Sequence, residues 1–207
     1  MKNFIGSRII LSILIICIAV SGKTQDSSKI FFTTAVGLLH PVSSFSKAYK
    51  NSLALNSGIE YRFSKHYFAQ FVLDFNAVKY NQQIKDAGSA YLFQNTSSSV
   101  FLAGINLGRN FPLISSRKLF ASPYIGAGYA NIGEPRLMVD DTRNIINQEV
   151  TRMRGIFGRA GTRVGYSTQS KILQTIYADV SYWAANITVQ ESRPTAFSFL
   201  AGTRIGF

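Results

Sequence analysis

Seven charged residues lie on the polar side of alternating apolar and polar segments, and their pairing is the first chemistry that the sequence offers. An alternating strand in a closed sheet would turn these side chains inward. A buried charge is costly unless it is paired, and the planar fork of arginine suits a carboxylate. We therefore predict interlocking arginine–carboxylate pairs that plug the interior. The set holds three acids and four bases: Glu60, Arg62, Asp74, Arg159, Arg163, Asp179 and Arg204.

Histidine-based catalysis is the second chemistry to weigh. His40 is predicted to start a loop that also holds Ser43, whereas Asp140 and Asp141 lie in a later loop. A hydrolase built from these groups would depend on spacing alone, so we expect His40 to be a solvated loop residue. His66 is predicted in a short turn at the opposite end of the molecule. We expect no catalytic residue, and neither metal-ligand spacing nor a cofactor motif is present.

The first 21 residues are typical of a secretory signal peptide. Lys2 and Arg8 precede the apolar run Ile9–Val20, and small residues allow cleavage after Ser21. A membrane-spanning helix is the alternative, but it needs about 20 apolar residues. Cys17, the single cysteine, lies within this run. The mature chain would therefore have neither a disulfide nor a thiol site.

The composition favours a membrane protein without membrane-spanning helices. The chain is 46% hydrophobic and 15% charged, whereas soluble domains contain roughly 25% charged residues. No apolar run after Val20 approaches the ~20 residues of a membrane helix. A closed β-barrel crosses a bilayer with every backbone hydrogen bond satisfied between strands. The composition thus indicates an exported barrel.

The chain is strongly basic. Its net charge is +12, and removal of Lys2 and Arg8 lowers this to +10 because two positive charges leave. A basic chain can bind nucleic acid, but export separates it from that partner. We expect the charge to contact outer-membrane lipid and lipopolysaccharide and to form pairs inside the barrel.

Eight segments alternate, each about as long as a tilted membrane strand. Their links are alternately long and short, as short periplasmic turns and longer external loops would require. The apolar side of each segment is predicted to face lipid, and aromatic residues near the segment ends are predicted to form two interfacial girdles. The segments are Ile30–Leu39, Leu53–Phe63, Tyr67–Ala77, Ser99–Arg109, Leu119–Asn131, Met153–Tyr166, Leu173–Ala184 and Pro194–Phe207.

The final segment carries a semi-specific motif. Gly202, Ile205 and Phe207 match the glycine–hydrophobic–aromatic ending of bacterial outer-membrane strands, although Leu200 replaces the polar residue expected before the glycine. The chain resembles the small eight-stranded outer-membrane β-barrel family, which includes the OmpA transmembrane domain, OmpX, and porin-like and PorT-like proteins. The resemblance implies assembly by the barrel-assembly machinery through this C-terminal strand.

The predicted protein is all-β: an eight-stranded antiparallel transmembrane up-and-down β-barrel over residues 22–207, after a signal peptide over residues 1–21. We expect it in the bacterial outer membrane, non-enzymatic and without a cofactor. It would act through its external loops or as a component of an envelope or secretion complex, with an envelope protein as partner. Two alternatives stay open: a lipid-modifying hydrolase that uses His40 at the rim, and a narrow channel.

Overall fold

A computed structural model of the chain describes residues 29–64, 66–80, 96–114, 118–140, 142–168, 170 and 172–206. Within these ranges it has nine strands and one short helix, α1 (Phe45–Ala48). No described helix is long and apolar enough to cross a membrane. The strands are β1 (Ile30–Pro41), β2 (Ser52–Arg62), β3 (Tyr67–Tyr80), β4 (Thr96–Arg109), β5 (Phe111–Pro112), β6 (Leu119–Asp140), β7 (Ile145–Ser167), β8 (Leu173–Ala185) and β9 (Thr195–Gly206).

The eight long strands close into a barrel. Each pairs antiparallel with the next along the chain, and β1 pairs with β9 through contacts such as Phe32 with Ile205. The two-residue β5 adds to the start of β6, next to the β4–β6 pairing. Closure leaves no exposed sheet edge in the wall. The predicted eight-stranded up-and-down architecture is confirmed.

The side chains alternate between the outside and the interior, as predicted. In β2, Leu55 and Ile59 are 45% and 52% exposed, whereas Glu60 is 0% exposed. In β1, Val36 and Leu38 face outward while Gly37 faces the interior. The two-residue period of a strand requires this arrangement. An apolar outer surface therefore encloses an interior in which charged and polar side chains lie beside aromatic and aliphatic ones.

Exposed aromatic side chains mark two levels on the outer surface. We call the barrel end that holds Ile30 and Gly206 the terminal end and the opposite end the loop end. Tyr67 and Phe75 on β3 are eight residues apart, about 26 Å along a strand and roughly 20 Å in height at the usual strand tilt. That height is close to the apolar band of about 25 Å on membrane barrels. Phe63, Tyr67 and Tyr166 lie at the terminal end, and Phe75, Tyr129 and Tyr182 at the loop end.

The predicted long loop between residues 131 and 153 is wrong. β6 continues to Asp140 and β7 begins at Ile145, and the two pair along this whole length. The apolar–polar alternation that defined the predicted strands weakens after Asn131, beyond the loop-end aromatic level. Backbone pairing needs no such pattern, so the hairpin continues. We call residues 133–140 and 145–155 the β6–β7 extension.

Candidate functional site: the barrel interior and the loop end

Glu60 is the centre of the interior charge network. Its Oε1 accepts hydrogen bonds from Arg204 at 2.8 Å and from Arg62 at 3.2 Å. Its Oε2 accepts one from Arg163 at 2.9 Å. Three arginines from three strands thus surround one carboxylate that is 0% exposed. Such charge-assisted bonds are stronger than neutral ones, so Glu60 ties β2 to β7 and β9 across the lumen.

Arg163 links this centre to the opposite wall. Its Nη2 donates to Gln70 at 3.0 Å, and its Nε lies 3.5 Å from a carboxylate oxygen of Asp179. Asp179 also accepts a 2.8 Å hydrogen bond from the Tyr124 hydroxyl. Gln70 in turn donates to Thr33. The network therefore includes neutral polar side chains that the charge pattern alone did not identify.

A second pair lies nearer the loop end. Arg159 donates to Asp74 through Nη2, and Asn56 donates to the other oxygen of the same carboxylate at 2.5 Å. Both members of the ion pair are buried. The structure thus divides the seven predicted residues into a Glu60 group and an Asp74 group, with Asp179 contacting Arg163.

The interior has little free space between these groups. A cavity of about 10 Å³ is lined by Asn106, Tyr124, Arg159 and Tyr177, among others. This volume is enough for about one water molecule. The Asn106 Oδ1 and Arg159 Nε atoms are buried and have no hydrogen-bond partner in the described part of the chain. Fixed charges and neutral polar side chains thus surround this small cavity.

A buried apolar cluster that sequence reasoning missed lies in the barrel mouth at the loop end, and we call it the cap. The largest side chains of this cap are Phe45, Tyr49, Tyr80 and Trp183, and all are at most 1% exposed. Phe45 lies 4.6 Å from Tyr49 and 6.3 Å from Trp183 between ring centroids. Helix α1 therefore inserts its apolar side into the barrel mouth. The first predicted loop, between Leu39 and Leu53, therefore contains a helix with a buried apolar side.

The Tyr49 hydroxyl anchors the cap to the β6–β7 extension. It donates a 2.7 Å hydrogen bond to the carbonyl oxygen of Gly133. Burial, with smaller contributions from Tyr80 and Glu134, raises the pKa of Tyr49 above its ordinary value. Two signals in the sequence could have revealed the cap. Phe45 and Tyr49 have helical spacing, and Trp183 has the inward parity of β8.

His40 is placed differently from the prediction. It lies within β1, paired with Phe197, and its side chain is exposed on the outer surface. The ring Nδ1 is 2.7 Å from the Asn51 side-chain oxygen. In the described ranges it has no hydrogen bond to a serine or carboxylate. Asp140 lies at the hairpin tip, where its carboxylate caps the turn and is 3.9 Å from Arg143; Asp141 lies outside the described residues.

Only some of the remaining predicted features lie in residues that the structure describes. Gly202 and Ile205 lie in β9, opposite Ala35 and Phe32 of β1. Phe207 and the predicted signal peptide over residues 1–21 lie outside the described residues. No group of histidine, cysteine, aspartate or glutamate in the described part of the chain could hold a metal ion.

Comparison with known proteins rests on structure, because no family model and no curated protein matches the sequence. Neisserial surface protein A superposes with a TM-score of 0.55 at 15% identity, over 88% of this chain and 100% of that one. A major outer membrane protein from Thermus thermophilus also gives 0.55, at 11% identity, over 84% of this chain and 99% of that one.

The chain has the fold of a small eight-stranded outer-membrane β-barrel. Nearly the full length of both known barrels is covered, so the likeness concerns the whole architecture and not a shared fragment. The low identity limits this likeness to the fold. The function of the barrel depends on its own interior and loop end.

Proposed function

We propose that this chain is a non-enzymatic barrel of the bacterial outer membrane that binds an envelope protein through its β6–β7 extension. An even strand number places both ends of the barrel on one side; this side would be the periplasm, and the loop end would face outward. The apolar outer surface and the two aromatic levels support a membrane location. The lumen would serve as a rigid core, not as a channel.

Two layers support a closed lumen. Near the terminal end and the middle, the Glu60 and Asp74 groups fill the interior with paired charges. Near the loop end, Phe45 and Trp183 pack in the mouth without exposure. An eight-stranded barrel is only wide enough for side chains to fill it. A channel would need both layers to open together, so we favour the closed barrel.

The β6–β7 extension is the observation that carries the proposed binding role. It continues eight residues beyond Ile132, which is the last β6 residue paired with β4. That length corresponds to about 26 Å along the strand. Apolar side chains are exposed on both of its faces: Val139 and Ile146 on one, Met138 and Ile145 on the other. Exposed apolar surface on both sides of a ribbon marks an interaction site.

The edge of β7 gives the extension a second binding feature. In the described ranges, residues 145–154 pair with β6 but with no strand on their other side. Natural edges are often blunted by proline or lysine. The β6 side of the extension contains Pro135, whereas residues 145–154 contain neither proline, glycine nor lysine. An extended partner segment could therefore add to β7 as a further strand.

Site-specific photocrosslinking in cells tests this role. A photoreactive residue at Gln148, within the extension, is expected to give a discrete protein adduct. The same residue at Ile125, which is 69% exposed on the membrane wall, is the matched control and is expected to give none. The proposal would be contradicted if the barrel is present in the outer membrane but no adduct forms at Ile146, Gln148 or Val150.

A further inference from the structure

We infer that the β6–β7 wall holds the phosphorylated headgroup of an outer-leaflet glycolipid, of the lipid A class, just above the loop-end aromatic level. The ligating side chains would be Arg152 and Arg154, with Lys79 beside them on β3. This inference rests on the outer-membrane location proposed above, and its two arginines lie at the base of the β6–β7 extension.

Arg154 lies at the boundary between apolar and polar outer surface. It is exposed on the outward side of β7 and is paired with Asn131 of β6. The next outward pair toward the terminal end is Ile156 with Tyr129, which are 68% and 43% exposed. A lipid whose chains lie against Ile156 and Tyr129 would therefore place its headgroup beside Arg154.

Arg152 extends the basic surface sideways along the wall. It is paired with Gly133 on β6, and its Nη1 donates a 2.7 Å hydrogen bond to the hydroxyl of Ser99 on β4. To reach Ser99, the Arg152 side chain passes over β6 at Gly133, which has no side chain. This bond places the guanidinium of Arg152 beside β4. The other N–H groups of Arg152 remain to bind an anion.

Lys79 completes the basic surface at the far side. It faces outward near the loop end of β3 and is paired with Ser97 of β4. Phe75, four residues closer to the terminal end, belongs to the aromatic level. Lys79 and the two arginines thus occupy the same height on neighbouring strands, with serine hydroxyls between them.

At the height of Arg154, the described outward positions of the opposite wall carry no arginine or lysine, and Arg193 lies two residues beyond Thr195. These outward positions on β1, β8 and β9 are His40, Ala184 and Thr195. No ion pair joins Arg152 or Arg154 to a carboxylate in the part of the chain that the structure describes. Arginine binds phosphate through two parallel hydrogen bonds, and cations near an anionic bilayer surface are attracted to it. The positive charge of this wall therefore favours the binding of a negatively charged, phosphorylated lipid.

The test measures lipid retention by the purified full-length barrel in phosphatidylcholine nanodiscs, using native mass spectrometry. The probes are lipid A with both phosphates and the same lipid after dephosphorylation. Wild type is expected to prefer the phosphorylated form by about tenfold or more, the factor that one hydrogen bond to a charged group supplies. The double variant Arg152→Ala/Arg154→Ala is expected to lose this preference.

The matched control is Arg143→Ala/Arg193→Ala, which removes the same charge from exposed positions at the hairpin tip and the β8–β9 connection. It should keep the preference, and millimolar inorganic phosphate should not displace the lipid. Equal retention of both lipids by wild type would overturn the inference, as would a preserved preference in Arg152→Ala/Arg154→Ala. Each sample is also run unboiled on a gel, which shows whether the barrel is folded. Loss of the folded barrel would contradict the proposed location and is thus distinguished from loss of lipid binding.

Discussion

Three guanidinium groups contact Glu60, more than contact any other described carboxylate. Replacing it with glutamine keeps the shape but leaves Arg163 and Arg204 buried without their counter-charge. Breaking a buried pair in this way costs roughly 3–5 kcal/mol. We therefore predict that Glu60→Gln lowers the free energy of unfolding by that amount, measured by urea unfolding in phospholipid vesicles.

The control is Glu149→Gln, which removes the same charge from an exposed position on the β6–β7 extension. It should leave the unfolding midpoint unchanged. Equal midpoints for Glu60→Gln and wild type would show that the interior charges are solvated, and the closed-lumen model would then be wrong.

Asp74 and Arg159 form a separable pair and allow a double-mutant cycle. Asp74→Asn and Arg159→Met should each destabilise the barrel, because each leaves one buried charge without its partner. The double variant removes both charges, so its loss should be smaller than the sum of the single losses. Urea unfolding of the four proteins gives the coupling energy. Additive losses would mean that the contact contributes nothing.

At the residue scale, the sequence predicted which charges face inward but not how they pair. The inward parity of Glu60, Arg163 and Arg204 follows from the alternation within each strand. Their contacts join residues 103 and 144 positions apart, and such contacts depend on the stagger with which the barrel closes. The apolar–polar alternation within a single strand does not determine that stagger.

At the scale of elements, the strands within the membrane were predictable and the loop end was not. Lipid on one side and packed polar groups on the other impose a strict alternation, so β2 and β8 were located to within about two residues. Beyond the aromatic level that constraint ends. The β6–β7 extension and helix α1 were therefore missed, because both depend on contacts with other parts of the chain.

The cap formed by α1 gives an element-scale prediction. Phe45 is fully buried against Trp183, and truncating a buried phenylalanine costs about 3–5 kcal/mol. We predict that Phe45→Ala destabilises the barrel and lets water reach Trp183, the only tryptophan. The measurement is a red shift of tryptophan emission with increased acrylamide quenching. The control Phe111→Ala, at an exposed position, should cause neither the red shift nor the increased quenching. An unshifted emission spectrum for Phe45→Ala would contradict the packing of α1 against Trp183.

At the scale of the whole molecule, the aromatic levels fix where the bilayer should lie. Ile105 is 56% exposed and lies between these levels, paired with Phe71. Ile146 is similarly exposed, at 49%, but lies on the extension. An arginine facing the bilayer centre costs about 2–4 kcal/mol. Ile105→Arg should therefore weaken folding into vesicles, while Ile146→Arg should not. Equal effects of the two variants would mean that the bilayer has been placed incorrectly.

The central claim is that the chain forms a closed barrel in the outer membrane. The most direct test is the electrophoretic mobility of the protein from isolated outer-membrane fractions, compared with and without boiling. The barrel model predicts that the protein is recovered in that fraction and that the unboiled sample migrates differently, because the intact barrel resists detergent. Recovery in the soluble periplasmic fraction, with one mobility for both samples, would contradict it.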